Sequence, residues 1–118
     1  MFLQLAHTKL NVYQFSQELA LECYRVIKKF PPDERFAITQ QIRRAAISVH
    51  LNISEGSSRK SLAERNRYFE ISRGSVIEID SAIGIAFKLE YVSLEEIGTL
   101  GESIIKTFKL LSGMIKRD

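Results

Sequence analysis

Apolar residues return every three or four positions along almost the whole chain, and the rhythm breaks at only three places. A period near 3.6 lays apolar side chains along one stripe of an α-helix, whereas a half-buried strand needs a period of two. The first stripe is Val12, Phe15, Leu19, Cys23, Val26, Ile27 and Phe30, ended by Pro31 and Pro32. Proline stops it because its ring excludes the helical conformation at the preceding residue. Asn11 stands where a capping side chain is needed, with Gln14 at capping-box spacing, and Lys28 and Lys29 suit the negative end of the helix dipole. A second stripe starts near Asp33 and runs through Ile38, Ile42, Ala45, Ala46, Val49 and Ile53 to Gly56, read as a left-handed stop. After a loop over Gly56–Lys60, Ser61 with Glu64 makes a capping box for Leu62, Phe69, Val76, Ile79, Ile83 and Ala86, a helix running to about Glu90. Tyr91 and Val92 turn the chain. Ser93 with Glu96 then opens the last stripe, Leu94, Ile97, Gly101, Ile104, Phe108, Leu111 and Ile115.

Connections this short force consecutive helices to lie antiparallel. The pattern therefore predicts an all-α fold, an antiparallel up-down four-helix bundle forming one domain over residues 10–118, with residues 1–9 as an N-terminal extension. The β-branched patches Ala46–Val49 and Ser75–Ile79 lie inside longer helical patterns and do not argue for strands. Six apolar residues fall off the main stripes of the second and third helices: Ile47, Leu51, Tyr68, Ile71, Ile85 and Leu89. A wide core would account for them. A second buried surface supplied by self-association would do so too, and is the expectation.

Several functions find no residues to carry them. No apolar run approaches the roughly 20 residues that cross a bilayer. The N-terminal stretch Met1–Leu10 lacks the pattern of a secretory signal, so a cytoplasmic protein is expected. Cys23 is the sole cysteine and reads as a small core side chain. His7 and His50 have no ligand partners at metal spacing, and no Glu-x-x-His pair is present, so neither a metal nor a cofactor is expected. The stretch Gly56–Ser61 lacks the glycine-to-lysine spacing of a phosphate-binding loop.

Charge is more informative. From Arg35 to Arg73 there are eight basic residues against three acidic ones, a local +5, while the rest of the chain carries −2. Seven of the eight are arginines, whose planar fork matches phosphate and carboxylate. Arg43, Arg59, Lys60, Arg65, Arg67 and Arg73 are the candidate nucleic-acid-binding residues, and Arg59–Arg67 spans a helix start, where free amides also favour phosphate. Glu64 and Glu70 among them leave open an ordinary ion-paired, solvated face. No base-reading motif is visible, so backbone or shape recognition of RNA or DNA is the form such binding would take.

A polar stripe runs beside the apolar one on the second helix. Gln41, Arg44, Ser48, Asn52 and Glu55 recur at steps of three or four, and Ser75 and Glu78 offer small and acidic positions on the next helix. The expected seam pairs Arg44 with Glu78, with Ser48 and Asn52 completing hydrogen bonds at a helix contact or subunit interface. Its worth would be in fixing register, since desolvation offsets much of the charge attraction.

The segment Gln41-Ile42-Arg43-Arg44-Ala45-Ala46-Ile47-Ser48-Val49, continuing through Asn52-Ile53-Ser54-Glu55-Gly56, resembles the bacterial four-helix-bundle family named after open reading frames in intervening sequences of 23S rRNA genes. Leu10–Gln14, Lys28–Pro31, and Gly74-Ser75 followed by Glu78 add to the likeness. The accessory variability protein of diversity-generating retroelements is similar to this family. The resemblance implies a homopentameric, basic, barrel-like assembly and binding of nucleic acid or of a reverse-transcriptase-like protein partner. His50 stands where the family pattern has proline. The reading from sequence is thus a non-enzymatic, oligomeric bundle that contacts nucleic acid, with a protein-interaction scaffold as the alternative. A further alternative is a HEPN-like ribonuclease, for which Arg44 and His50 have permissive spacing.

Overall fold

The computed structural model describes residues 1–115. Four helices form: α1 Asn11–Ile27, α2 Ile38–Ser57, α3 Leu62–Lys88 and α4 Gly98–Met114, with 3-10 turns at Ala6–Lys9 and Pro32–Glu34. Each helix packs on its neighbours in the chain, α1 closes against α4, and the backbones of the diagonal pairs do not approach closely. That is a four-sided up-down bundle. The longest contact is between α2 and α3. The first nine residues, expected as an extension, include the turn Ala6–Lys9, which rests against α1 and α2.

Leu19, Ile42, Ile53, Ile79, Leu100 and Leu111 fill the centre, all fully enclosed. Each such side chain contributes about 1.5–3 kcal/mol on leaving water. Cys23 lies among them, and burial, aided slightly by Glu22, pushes its thiol up to about 12. It stays protonated at neutral pH, an inert packing group. Two buried hydroxyls differ in their partners. Ser72 Oγ donates to the Val49 carbonyl at 2.7 Å, tying α3 to α2, whereas Thr107 Oγ1 is enclosed without a partner among the described residues. Thr107→Val removes that orphan at nearly constant shape and is expected to stabilise the bundle by about 1 kcal/mol. Thermal denaturation should show a Tm about 4 °C higher.

Several helix ends differ from the sequence reading. The cap position of α1 is Leu10, not Asn11, and no side chain bonds there; the Leu10 carbonyl instead accepts from the Tyr13 and Gln14 amides at 3.1 and 3.3 Å. Asn11 is already helical because the turn Ala6–Lys9 leads directly into α1. Asp33 belongs to the 3-10 turn rather than to α2, which begins at Ile38. Gly56 is not a left-handed stop: no glycine has positive φ, and α2 continues to Ser57. At the end of α3 the left-handed residue is Glu90, with φ of 64°. The Tyr91 amide reaches back to the Ala86 carbonyl and the Glu90 amide to Phe87, both at 3.0 Å, a Schellman closure without its usual glycine.

The capping boxes fare differently. Ser61 Oγ accepts from the Glu64 amide at 3.1 Å and starts α3 as expected. Ser93 and Glu96 bond reciprocally at 2.9 and 3.2 Å, but the turn they close precedes α4, which begins at Gly98. Leu62 and Leu94, placed in the stripes by pattern, are exposed, as is Phe108, while Leu100 is enclosed.

The two ends of the bundle are built differently. The α1–α2 and α3–α4 connections share one end, joined by Lys29–Glu96 at 3.1 Å, by Tyr91 Oη donating to Glu34 at 3.0 Å, and by packing of the Phe30 and Tyr91 rings. The Ser93 amide, followed by Lys29, holds the Glu96 carboxyl below its ordinary range. The other end carries the N-terminal segment, the α2–α3 turn and the end of α4.

Candidate functional site

The basic residues separate along the bundle. Arg43 and Arg59 lie on the same helix and its outgoing turn, 16 positions apart, or about 24 Å at helical rise. Arg43 joins Arg44, Tyr24, Ile47, Leu51 and Asn52 around a shallow depression of about 430 Å³ on the outer side of α2. Lys60 and Arg65 flank a second depression, of about 450 Å³, where the start of α3 meets the end of α4 beside Phe69 and Met114. Arg67 is exposed on the first turns of α3. The six candidates therefore make no single patch.

They also differ in how far the protein already uses them. Arg59 donates to Glu55 at 2.9 Å and to Tyr68 Oη at 3.2 Å, with its guanidinium 5.0 Å from the Tyr68 ring centre. Arg73 reaches Ser112 Oγ at 3.3 Å and lies over Phe108, bridging α3 to α4. Arg43, Lys60, Arg65 and Arg67 have no ion pair or hydrogen bond from their side chains among the described residues. Three of these four lie at or just after the α2–α3 turn, Lys60 and Arg65 around one depression and Arg67 exposed on the first turns of α3. A guanidinium or ammonium left in water there can meet a phosphate without first breaking a protein contact.

The polar stripe is assembled in part. Ser75 Oγ donates to Ser48 Oγ at 2.8 Å across the α2–α3 contact, and Asn52 Nδ2 donates to the Ser48 carbonyl and hydroxyl at 2.8 and 3.0 Å. Small residues at 48 and 75 let the two backbones come close enough for hydroxyls to meet. Arg44 and Glu78 do not pair with each other and form no ion pair among the described residues, and both are exposed, so the intrachain pairing expected from spacing does not occur. Gln41 is exposed as well, and Glu55 is taken by Arg59.

Gly56 closes the same helix pair lower down. A Cβ there would stand 2.8 Å from Phe69 Cε1 and 3.0 Å from Tyr68 Cβ, so glycine is required by close approach rather than by a turn. The apolar residues surplus to the stripes are mostly in water: Ile47, Leu51, Ile71, Ile85 and Leu89 are exposed, and Tyr68 is half-buried under Arg59.

His50 and Arg44 do not converge. Six positions of helix separate them by about 120° around α2. His50 turns toward α1, with Nδ1 2.7 Å from Ser16 Oγ and its ring 4.5 Å from that of Tyr13. Tyr13 in turn packs edge-on against His7 at 5.7 Å. Sequence spacing does not reveal this column of rings; its only signal is polar Ser16 and His50 at positions facing between helices. Among the described residues no group of three His, Cys, Asp or Glu side chains could hold a metal ion, and no helix is long and apolar enough to cross a membrane.

No curated protein matches the sequence. The fold is similar to that of a crystal structure of a protein of unknown function from the S23 ribosomal protein family of Bacteroides thetaiotaomicron. The TM-score is 0.81 at 23% identity, covering 90% of this chain and 99% of the other. At that identity the likeness establishes a shared fold. The 23S rRNA-intervening sequence proteins match residues 8–113, a span that includes the four helices except Met114 at the end of α4, the Ser48–Ser75 contact and Gly56. The chain belongs to the 23S rRNA-intervening sequence protein family.

Proposed function

We propose that this protein is a non-enzymatic, self-associating bundle that binds the backbone of RNA or DNA through the basic α2–α3 turn. The observation that carries the reading is that Lys60 and Arg65 border one depression at this end of the bundle, with Arg67 exposed two positions further along α3, and that none of the three has an ion pair or hydrogen bond from its side chain among the described residues. Three cations per chain make a weak site. Repetition across a homo-oligomer, a pentamer in the family resemblance, would raise the effective concentration of each further contact. The exposed Ile47, Leu51, Ile71, Ile85 and Leu89 supply apolar area for such an assembly. Arg44 and Glu78, without an ion pair among the described residues, are available to pair between copies.

Charge reversal separates this reading from the scaffold alternative. The double variant Arg65→Glu/Arg67→Glu is expected to abolish binding of labelled RNA and DNA at low salt, while its mass by sedimentation remains the same multiple of 13.5 kDa as the parent's. Replacing the same pair by glutamine should flatten the dependence of log K on log salt by roughly 2, one for each phosphate no longer neutralised. Parent protein that self-associates but binds neither polymer at low salt would favour a scaffold whose partner is another protein.

A further inference from the structure

We propose that residues 1–10 form a strap held over α1 and α2 at neutral pH and released when His50 takes up a proton. The strap is seated through few contacts. Its turn Ala6–Lys9 rests on α1 and α2, and His7 packs on Tyr13, which packs on His50. Inside the turn the Thr8 amide bonds to the Leu5 carbonyl at 3.2 Å and the Leu10 amide to the His7 carbonyl at 3.1 Å. Met1, Phe2, Leu3 and Leu5 are exposed, so little apolar burial holds the strap beyond that column. Beneath it lies a depression of about 500 Å³ reaching Leu51, Ser54 and Ser58 of α2.

The hydrogen bonds at Ser16 define how His50 titrates. Ser16 Oγ donates to the Tyr13 carbonyl at 2.9 Å, which leaves the hydroxyl oxygen to accept from Nδ1–H of His50 at 2.7 Å. The neutral ring then carries its proton on Nδ1, and an added proton goes to Nε2. The bond to Ser16 survives that addition. What changes is charge: a half-buried imidazolium appears with no carboxylate beside it among the described residues.

Among the described residues, none of the groups around the ring supplies an anion. Burial foremost, then His7, then the amino group of Met1, hold the His50 imidazolium below its ordinary range. From α1 the ring meets Tyr13 and Ser16, both neutral, and the carboxylate bordering the depression, Glu55, is bound to Arg59. Two of the three causes, His7 and the amine, are carried by the strap itself. Moving the strap therefore removes both of these influences and admits water to the ring, whereas moving a helix would cost core packing. The folded protein binds this proton less readily than the unfolded chain. Seating is thus complete above the ordinary histidine value of about 6.5 and is lost as pH falls from there through the folded-state value.

Hydrogen exchange on the intact protein tests this. After normalising for intrinsic exchange, protection of the Thr8 and Leu10 amides is expected to fall as pH drops from about 7.5 to about 5.5, around the histidine range, while core amides of α2 and α3 stay protected. His50→Asn retains a hydrogen-bond donor toward Ser16 but cannot titrate, and should remove the pH dependence. In His7→Gln, the His50 ring resonances in proton NMR should titrate at higher pH than in the parent. Unchanged strap protection across the range would overturn the proposal. So would the same fall in His50→Asn, or simultaneous loss of core protection.

Discussion

Leu100→Ala is expected to destabilise the bundle by about 3 kcal/mol, the usual cost of deleting a fully enclosed leucine side chain and leaving a cavity. Phe108→Ala, removing a larger side chain from the same helix, should cost about 1 kcal/mol or less, as substitutions at exposed positions do. Leu100 has none of its surface in water, while Phe108 keeps 38% of its own and serves mainly as a platform for Arg73 and one wall of the α3–α4 groove. Urea unfolding of both variants measures the difference through the midpoint at constant slope. Equal destabilisation would mean that the rotation of α4 about its axis is different from the one described.

The stripe Ile97, Gly101, Ile104, Phe108 and Leu111 is sound helical periodicity, yet the buried line of α4 is Leu100, Ser103, Ile104, Thr107 and Leu111. Periodicity detects an amphipathic helix but leaves its rotation open by a residue in either direction when apolar side chains spread over a wide arc. On α4 they do, since Ile105 and Phe108 are apolar and exposed. In α1 and α2 exposed apolar residues occur as well, Leu21 and Tyr24 on the one and Ile47 and Leu51 on the other, but there the expected stripes and buried residues agree closely. Local chemistry was equally readable where it is self-contained, as at the Ser61–Glu64 cap. What depended on another helix was not. Gly56 looks like a stop in one dimension and proves to be a contact in three.

Gly56→Ala should therefore lower stability by about 2 kcal/mol, against an intrinsic helix preference that favours alanine by about 1 kcal/mol. The added methyl meets Phe69 Cε1 at 2.8 Å, and Phe69 is enclosed, so its ring cannot swing aside. Tyr68 Cβ, at 3.0 Å, is fixed close to the α3 backbone. Relief has to come from separating α2 and α3, the most extensive helix contact in the molecule. Combining the change with Phe69→Leu should recover part of the stability, giving a double variant more stable than the sum of the two single effects. If Gly56→Ala instead stabilised the protein by its helix preference, the close approach of α2 and α3 at this level would be wrong.

The candidate site shows the same division. Residue types and local charge pointed to Arg43, Arg59, Lys60, Arg65, Arg67 and Arg73 as a group, but sequence spacing could not say that Arg59 and Arg73 are engaged by Glu55, Tyr68 and Ser112. Nor could it say that Arg43 stands about 24 Å along α2 from Arg59 and the α2–α3 turn. The arginines left free, rather than the total, define where an anion can bind. Arg44 illustrates the converse: its expected partner Glu78 is on the adjoining helix, yet both side chains face water.

Binding of nucleic-acid backbone by the free cations at the α2–α3 turn is the central proposal. Fluorescence anisotropy of labelled RNA and DNA strands, titrated with protein of known sedimentation mass at low and at high salt, reads it directly. The expected result is a complex at low salt with little sequence preference, weakened steeply as salt rises because bound counterions are released. Absence of any complex at low salt would contradict it.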